Sequence, residues 1–320
     1  MSELVHPVVL ASLGGAVGVP LVRGVVSGCV YGLVATGLVL IYKSNGIFNF
    51  AQAEFGSVAG FVSLAFLKGL GGFPRVPYPV AIVLGLVAGA LVGLVTERLV
   101  IHPLFSAPRA TLLVATAGTA LFLISAQALI LGVQVIHVFP PVAADTHFSA
   151  FGPVGGPHAY TFGWTEIDIL VAVALLVALG AAFFRTRYGK AILAISQDST
   201  AASIVGIDVN KMSALTWTIA GLLGGVAGVI YAPAKGALTP GYMTGIGEVG
   251  PLVFGFIAAV LGGMTSLPGA FVGGVLVGII GSFAGAHIPT SVPGGEQIVV
   301  AGVLLVVLLV RPTGLLGKET

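Results

Sequence analysis

Apolar runs bounded by charge or by Pro/Gly punctuation occupy residues 20–42, 47–67, 78–97, 110–132, 166–184, 213–233, 248–264, 269–285 and 297–310 of this 320-residue chain. Runs of such length are what a helix needs to cross a bilayer, about 20 residues at 1.5 Å each. Lipid offers the backbone no hydrogen-bond partner, so a spanning segment must satisfy its own N–H and C=O groups. A β-barrel would alternate apolar and polar residues over segments of about ten. These runs are continuous, so the spans are expected to be helical. Only 8% of the residues are charged, against about 25% in soluble domains. The expectation is an all-α integral membrane protein with a single domain over 1–320. It is a bundle of about eight or nine transmembrane helices, with short or broken ones in 248–285.

Orientation follows from Lys and Arg, which favour the cytoplasmic side. With the N-terminus outside, the cytoplasmic segments hold Lys43, Arg98, Arg109, Arg185, Arg187, Lys190, Lys211, Arg311 and Lys318. Arg23, Lys68, Arg75 and Lys235 fall outside. The long segment 133–165 has no Lys or Arg and fits an external position. The single cysteine, Cys29, excludes an intrachain disulfide framework. The opening "MSELVHPVV" has no basic region of the kind that begins a cleaved leader.

Glycine recurs at every fourth position in Gly24, Gly28, Gly32 and again in Gly85, Gly89, Gly93; Gly221, Gly224, Gly225 and Gly228 line a third face. Small residues at this spacing let helix backbones approach closely in lipid. They serve packing within the chain, a seam with a second one, or a moving interface.

Nucleotide and metal motifs are not supported. "GIGEVG" (Gly245–Gly250) has the G-x-G-x-x-G spacing, but no strand precedes it and no suitable acidic residue follows. "GLLGKET" lacks a phosphate loop's first glycine, Pro312 standing there, and Glu319 replaces its Ser/Thr. The histidines show no i, i+4 pair, so no metal site is expected. No catalytic constellation, cofactor or nucleic-acid partner is expected.

Two polar islands remain. The first, "NGIFNFAQAEFG" (Asn45–Gly56), puts Asn49, Gln52 and Glu54 between two apolar runs. A charge at the bilayer centre costs about 2.5–3.5 kcal/mol on insertion scales, so such residues face a bundle interior or a water-filled path. They either shape a path or gate, or form an interhelical clamp with Glu54 paired to Lys or Arg. Glu248 is a counterpart at the outer side. Gln127, with Thr116, Thr119 and Ser125, is a further candidate in the fourth span.

The second island is the cytoplasmic segment Arg185–Met212. Asp198 is an N-cap candidate, Ser199–Val205 about two helical turns, Gly206 a C-cap, and Asp208 a cap for the next span. Ala201, Ala202 and Val205 are expected to form a small apolar face. The helix is either a knob for a partner or an amphipathic connector on the headgroups.

Three blocks carry a family resemblance. "NGIFNFAQAEFG" resembles the Asn-Phe-Ala-x-x-Glu signature of branched-chain amino acid ABC transporter permeases. "YGKAILAISQDSTAASIVGIDVNKM", followed by "TIAGLLGGVAGVIYAP", is similar to their coupling loop and following helix. "GPLVFGFIAAVLGGMTSLPGAFVGGVLVG" resembles their Leu-Gly-Gly-x-x-Ser-x-x-Gly-Ala block. The resemblance covers about 20–315 and is closer to the type with a short N-terminus. It implies a bacterial inner-membrane permease subunit with no ATPase of its own. The implied partners are a second permease chain, two cytoplasmic ATP-binding subunits and an extracytoplasmic solute-binding protein. It also implies a coupling role for Asp198, Ser199, Ala201, Ala202, Val205 and Gly206. The family includes urea, short-amide and aromatic-acid carriers, and "NFAQAE" departs from its commoner Asn-Phe-Ala-His-Gly-Glu, so the solute stays open. An ion-driven secondary carrier is the alternative from another class; it would work alone and show paired broken helices with ionisable residues at mid-depth.

Overall fold

The computed structural model describes residues 17–132, 136, 137, 148–151, 160–162, 170, 173, 174, 177, 180, 183–235, 237–245, 249–289 and 291–317. Four helices come first: α1 (Val19–Asn45), α2 (Gln52–Lys68), α3 (Tyr78–Thr96) and α4 (Arg109–Leu131). Helix α3 runs on through a wide π turn, Glu97–Ile101, and a tight 3-10 turn, His102–Leu104. The described positions between 170 and 184 are helical. Then come α5 (Arg187–Gln197), α6 (Ser199–Ile204), α7 (Val209–Lys235), α8 (Pro251–Gly262), α9 (Leu267–His287) and α10 (Gly295–Val310).

Among the described residues, five helices are long and apolar enough to cross a membrane: Val19–Asn45, Tyr78–Leu104, Arg109–Ile130, Val209–Pro233 and Leu267–His287. Helices α8 and α10 are apolar but shorter. With 12 residues, α8 reaches about 18 Å, against about 30 Å of hydrocarbon. The expected second span at 47–67 begins later, at Gln52. Gly46, at φ 66°, ends α1 with its N–H on the Tyr42 carbonyl, and the chain runs non-helically to Ala51.

The helices pack around α1, α7 and α9. Helix α1 lies antiparallel to α9 and also touches α7 and α8; α2, α3 and α7 pack on one another; α10 covers α9. The α1/α9 contact is made by glycine. A Cβ at Gly24 would lie 2.5 Å from the Ile279 Cα, and one at Gly28 2.6 Å from the Val275 Cα. The Gly85–Gly93 and Gly221–Gly228 ladders likewise face other helices of the same chain. These ladders therefore serve internal packing. Elsewhere large apolar side chains point outward, as Val114, Phe122 and Leu129 of α4 and Leu305 and Leu309 of α10 do, which suits lipid rather than water.

The sequence reading anticipated no strands. Two short antiparallel pairs are present: β1 (Ile136–His137) with β4 (Ala237–Leu238), and β2 (Phe148–Phe151) with β3 (Tyr160–Phe162). The first ties the segment after α4 to the end of α7.

A buried polar seam and a capped helix pair

The polar seam lies where two helices begin inside the bundle. The caps of α2 and α8, Ala51 and Gly250, are both buried. Beyond β4 the chain turns back inward through 239–245. The Tyr242 hydroxyl donates to the Gly228 carbonyl at 2.8 Å, and the Leu252 N–H to the Met243 carbonyl at 3.0 Å. Helix α8 then runs toward the end of the bundle that holds Lys43, whose Nζ donates to the Thr265 carbonyl at 3.0 Å.

Asn49 folds the linker into an Asx turn, its Oδ1 accepting from the Ala51 N–H at 3.0 Å. Gln52 Nε2 donates to the Ala220 carbonyl at 2.8 Å, near the middle of α7, and Gln52 Oε1 accepts from Asn49 Nδ2 at 3.4 Å. Glu54 is 0% exposed. Its Oε2 accepts from Gln127 Nε2 at 3.0 Å and its Oε1 from the Thr244 hydroxyl. Ser57 Oγ donates to Gln127 Oε1 at 2.7 Å, completing a link from α2 to α4. Buried groups satisfied in this way are expensive to disturb, because a partner lost is not replaced by water.

Asn49, Gln52, Glu54 and Gln127 are thus brought together, and Glu248 lies outside the described residues. The clamp with Glu54 paired to Lys or Arg is not what forms: among the described residues neutral donors hold the carboxylate. Thr116 takes part from α4, its hydroxyl accepting from the Phe50 N–H at 3.3 Å. Thr119 and Ser125 bond only the carbonyls one turn back. Sequence reasoning missed Ser57 and Thr244, and also Glu97, a second fully buried carboxylate. Glu97 lies 3.6 Å from Arg98 Nε and 3.9 Å from His102 Nδ1 in the π turn.

At the Lys43 end of the bundle, α5 and α6 form a helix pair. Asp198 caps α6, its Oδ1 accepting from the Thr200 and Ala201 N–H groups at 2.8 and 2.9 Å. Gly206, at φ 89°, closes it as the residue beyond the C-cap Val205. Its N–H bonds the Ser203 carbonyl, and the Ile207 N–H bonds the Ala202 carbonyl. That pattern is a Schellman closure, and the left-handed φ is why glycine stands there. Asp208 Oδ1 accepts from the Lys211 N–H at 3.0 Å at the head of α7, which holds its carboxyl below the usual aspartate range, with help from the Lys211 side chain.

Two expectations are corrected here. Helix α6 ends at Ile204, and Ala201, Ala202 and Val205 do not share a face. Ala202 is 4% exposed and packs inward, while Ile204 and Val205 are 80% and 76% exposed. A second capped helix stands in this segment: Thr186 caps α5, its Oγ1 accepting from the Gly189 N–H at 3.3 Å, and α5 buries Ile192 and Ile195.

Residues 21–309 match the family model described as branched-chain amino acid transport system / permease component. The chain is 30% identical over 307 residues to the high-affinity branched-chain amino acid transport system permease protein LivH of Escherichia coli (strain K12), covering 92% of this chain and 94% of that one. It is 32% identical over 310 residues to the corresponding protein BraD of Pseudomonas aeruginosa, covering 93% and 95%. Among solved structures it is similar in fold to PsaBC from Streptococcus pneumoniae in complex with Fab, with a TM-score of 0.50, 16% identity and 91% of each chain covered.

Proposed function

The chain belongs to the family of branched-chain amino acid transport permease components, and from that premise we propose that it is the membrane-spanning subunit of an ABC importer for branched-chain amino acids or a related small polar solute. It forms half of the solute path with a second permease chain, identical or homologous. An extracytoplasmic binding protein delivers the solute, and two ATP-binding subunits dock at the α5–α6 end. The chain sits in the bacterial cytoplasmic membrane as a bundle of about nine spans, with its N-terminus outside.

The observation that carries this reading is the family match over 21–309. The helix pair supports it: a segment with caps at both ends of α6 holds two large apolar side chains, Ile204 and Val205, out of its own core. A charge distribution in line with the positive-inside rule supports the orientation. Lys43, Arg109, Arg187 and Lys211 lie at the α5–α6 end, and Arg23, Lys68 and Arg75 at the other.

The seam of Asn49, Gln52, Glu54 and Gln127 is assigned to the path or its gate. Interrupted helices and non-helical backbone at membrane depth are tolerated where they line a cavity or are covered by protein. Here α2 and α8 both start beside a buried carboxylate.

The test is co-purification with the ATP-binding subunits followed by reconstitution. ATP-dependent uptake of leucine by the assembly, with no ATP hydrolysis by this chain alone, is expected. Uptake by the chain alone, driven by a proton or sodium gradient, would replace this reading with a secondary carrier.

A further inference from the structure

A cavity of about 350 Å³ opens between the first half of α1, the last half of α9 and the first turn of α10. It lies at the end of the bundle opposite to α5 and α6. Small-molecule sites run from about 300 to 1,000 Å³. Its wall carries Arg23, Ser27, Tyr31, Ser282 and Glu296, an unusual density of polar groups for a chain with 8% charged residues.

The carboxylate of Glu296 lies flat on α9, and glycine makes the room for it. A Cβ at Gly281 would sit 2.7 Å from Glu296 Oε1, and one at Gly285 would sit 3.6 Å from Oε2. Among the described residues Glu296 makes no ion pair or hydrogen bond. The cavity thus presents a carboxylate with open acceptor positions and, from another helix, a guanidinium.

We propose that this cavity binds a zwitterionic α-amino acid, a site that rests on the amino-acid reading above and adds a place for the solute on this chain. Arg23 meets the solute carboxylate, for which its planar fork of donors is matched, and Glu296 meets the ammonium group. The Ser27 and Tyr31 hydroxyls fill the remaining hydrogen bonds, Ser282 stands on the wall with no part in binding, and Val19, Pro20 and Ala286 give the side chain an apolar wall. A pure anion would be repelled by Glu296 and a pure cation by Arg23, so both charges are needed. A phosphatidylethanolamine headgroup carries the same pair of charges, and the test separates the two.

The full chain, with Ser282→Cys as a reporter, is placed in nanodiscs of phosphatidylcholine and phosphatidylglycerol and labelled with a small maleimide. Cys29 is buried and serves as the silent background. L-leucine at about ten times its Kd or above is expected to slow labelling roughly tenfold or more, since the free fraction of sites falls as the inverse of one plus the ratio of ligand concentration to Kd. The deaminated acid 4-methylvalerate and the decarboxylated amine isopentylamine are expected not to protect. Arg23→Gln, Glu296→Gln and Gly281→Ala are each expected to remove protection in monodisperse protein. Equal labelling with and without leucine, isoleucine and valine overturns the proposal, as does protection that survives both charge substitutions. Protection by phosphatidylethanolamine alone, without amino acid, gives the cavity to lipid and also overturns it. ATP-driven uptake by the wild-type assembly tests the underlying reading separately: protection without uptake keeps the cavity and removes the transport assignment, and uptake without protection does the reverse.

Discussion

Gln127 Nε2 donates to Glu54 Oε2 across 3.0 Å, joining α4 to α2 at residues 73 positions apart in the chain. Both side chains are buried, Glu54 completely. Without Gln127, one carboxylate oxygen and the Ser57 hydroxyl lose their partners together.

Coupling between these two residues is therefore measurable. In a double-mutant cycle of Glu54→Gln and Gln127→Leu, thermal unfolding in detergent should give an interaction energy on the order of 0.6–2 kcal/mol, the range seen for hydrogen bonds between membrane helices. Strictly additive effects would show that α2 and α4 are not joined by this pair. ATP-driven uptake should fall in Gln127→Leu even where the protein remains folded.

The α1/α9 contact should be intolerant of a single added methyl group. Gly28→Ala places a Cβ against the Val275 backbone and should destabilise by about 1–3 kcal/mol, the cost of overpacking. Gly118→Ala in α4 meets nothing within 4 Å and should be neutral or stabilising by up to about 1 kcal/mol from helix propensity. Equal melting temperatures for the two variants would contradict the packing described for α1.

On α6, neighbouring positions should separate docking from folding. Ile204→Arg and Val205→Arg alter exposed side chains, so the chain should insert and fold while losing its hold on the ATP-binding subunits in a pull-down. Ala202→Arg forces a charge into a buried site and should instead expose the 185–212 segment to protease. Wild-type retention of the ATP-binding subunits by both exposed variants would remove the docking role from α6.

Sidedness can be checked with two cysteines. Val205→Cys should react with an impermeant maleimide from the cytoplasm, and Arg75→Cys, in the turn between α2 and α3, from outside. Labelling of both from one face would mean that the number of crossings between 75 and 205 has the opposite parity.

Local punctuation was readable in the sequence. Asp198, Gly206 and Asp208 each act at the helix end their residue types imply, because caps depend on neighbours a few positions away. The run lengths of α1, α3, α4, α7 and α9 were readable for the same reason. Helix α5 escaped notice although Thr186 caps it, since its polar face made it look like part of a loop. The partners of Glu54 were not readable: Thr244 lies 190 positions away and reaches it only because the chain folds back after α7. The inward packing of Ala202 was equally hidden, since a six-residue helix shows no periodicity that tells its buried side from its exposed one.

Glycine-to-backbone contact along α1 and α9 has a mechanical result. Two helices interlocked at Gly24, Gly28 and Gly32 cannot slide past one another without unpacking, so they turn as one rigid beam. The compliance of the bundle then resides in its non-helical joints, Gly46–Ala51 after α1 and Gly263–Ser266 before α9. Both joints lie at the same end as the Lys43–Thr265 hydrogen bond. A push at α5 and α6 would arrive at the end where the beam is hinged, and its far end, with Arg23 and Gly281, would sweep the larger arc.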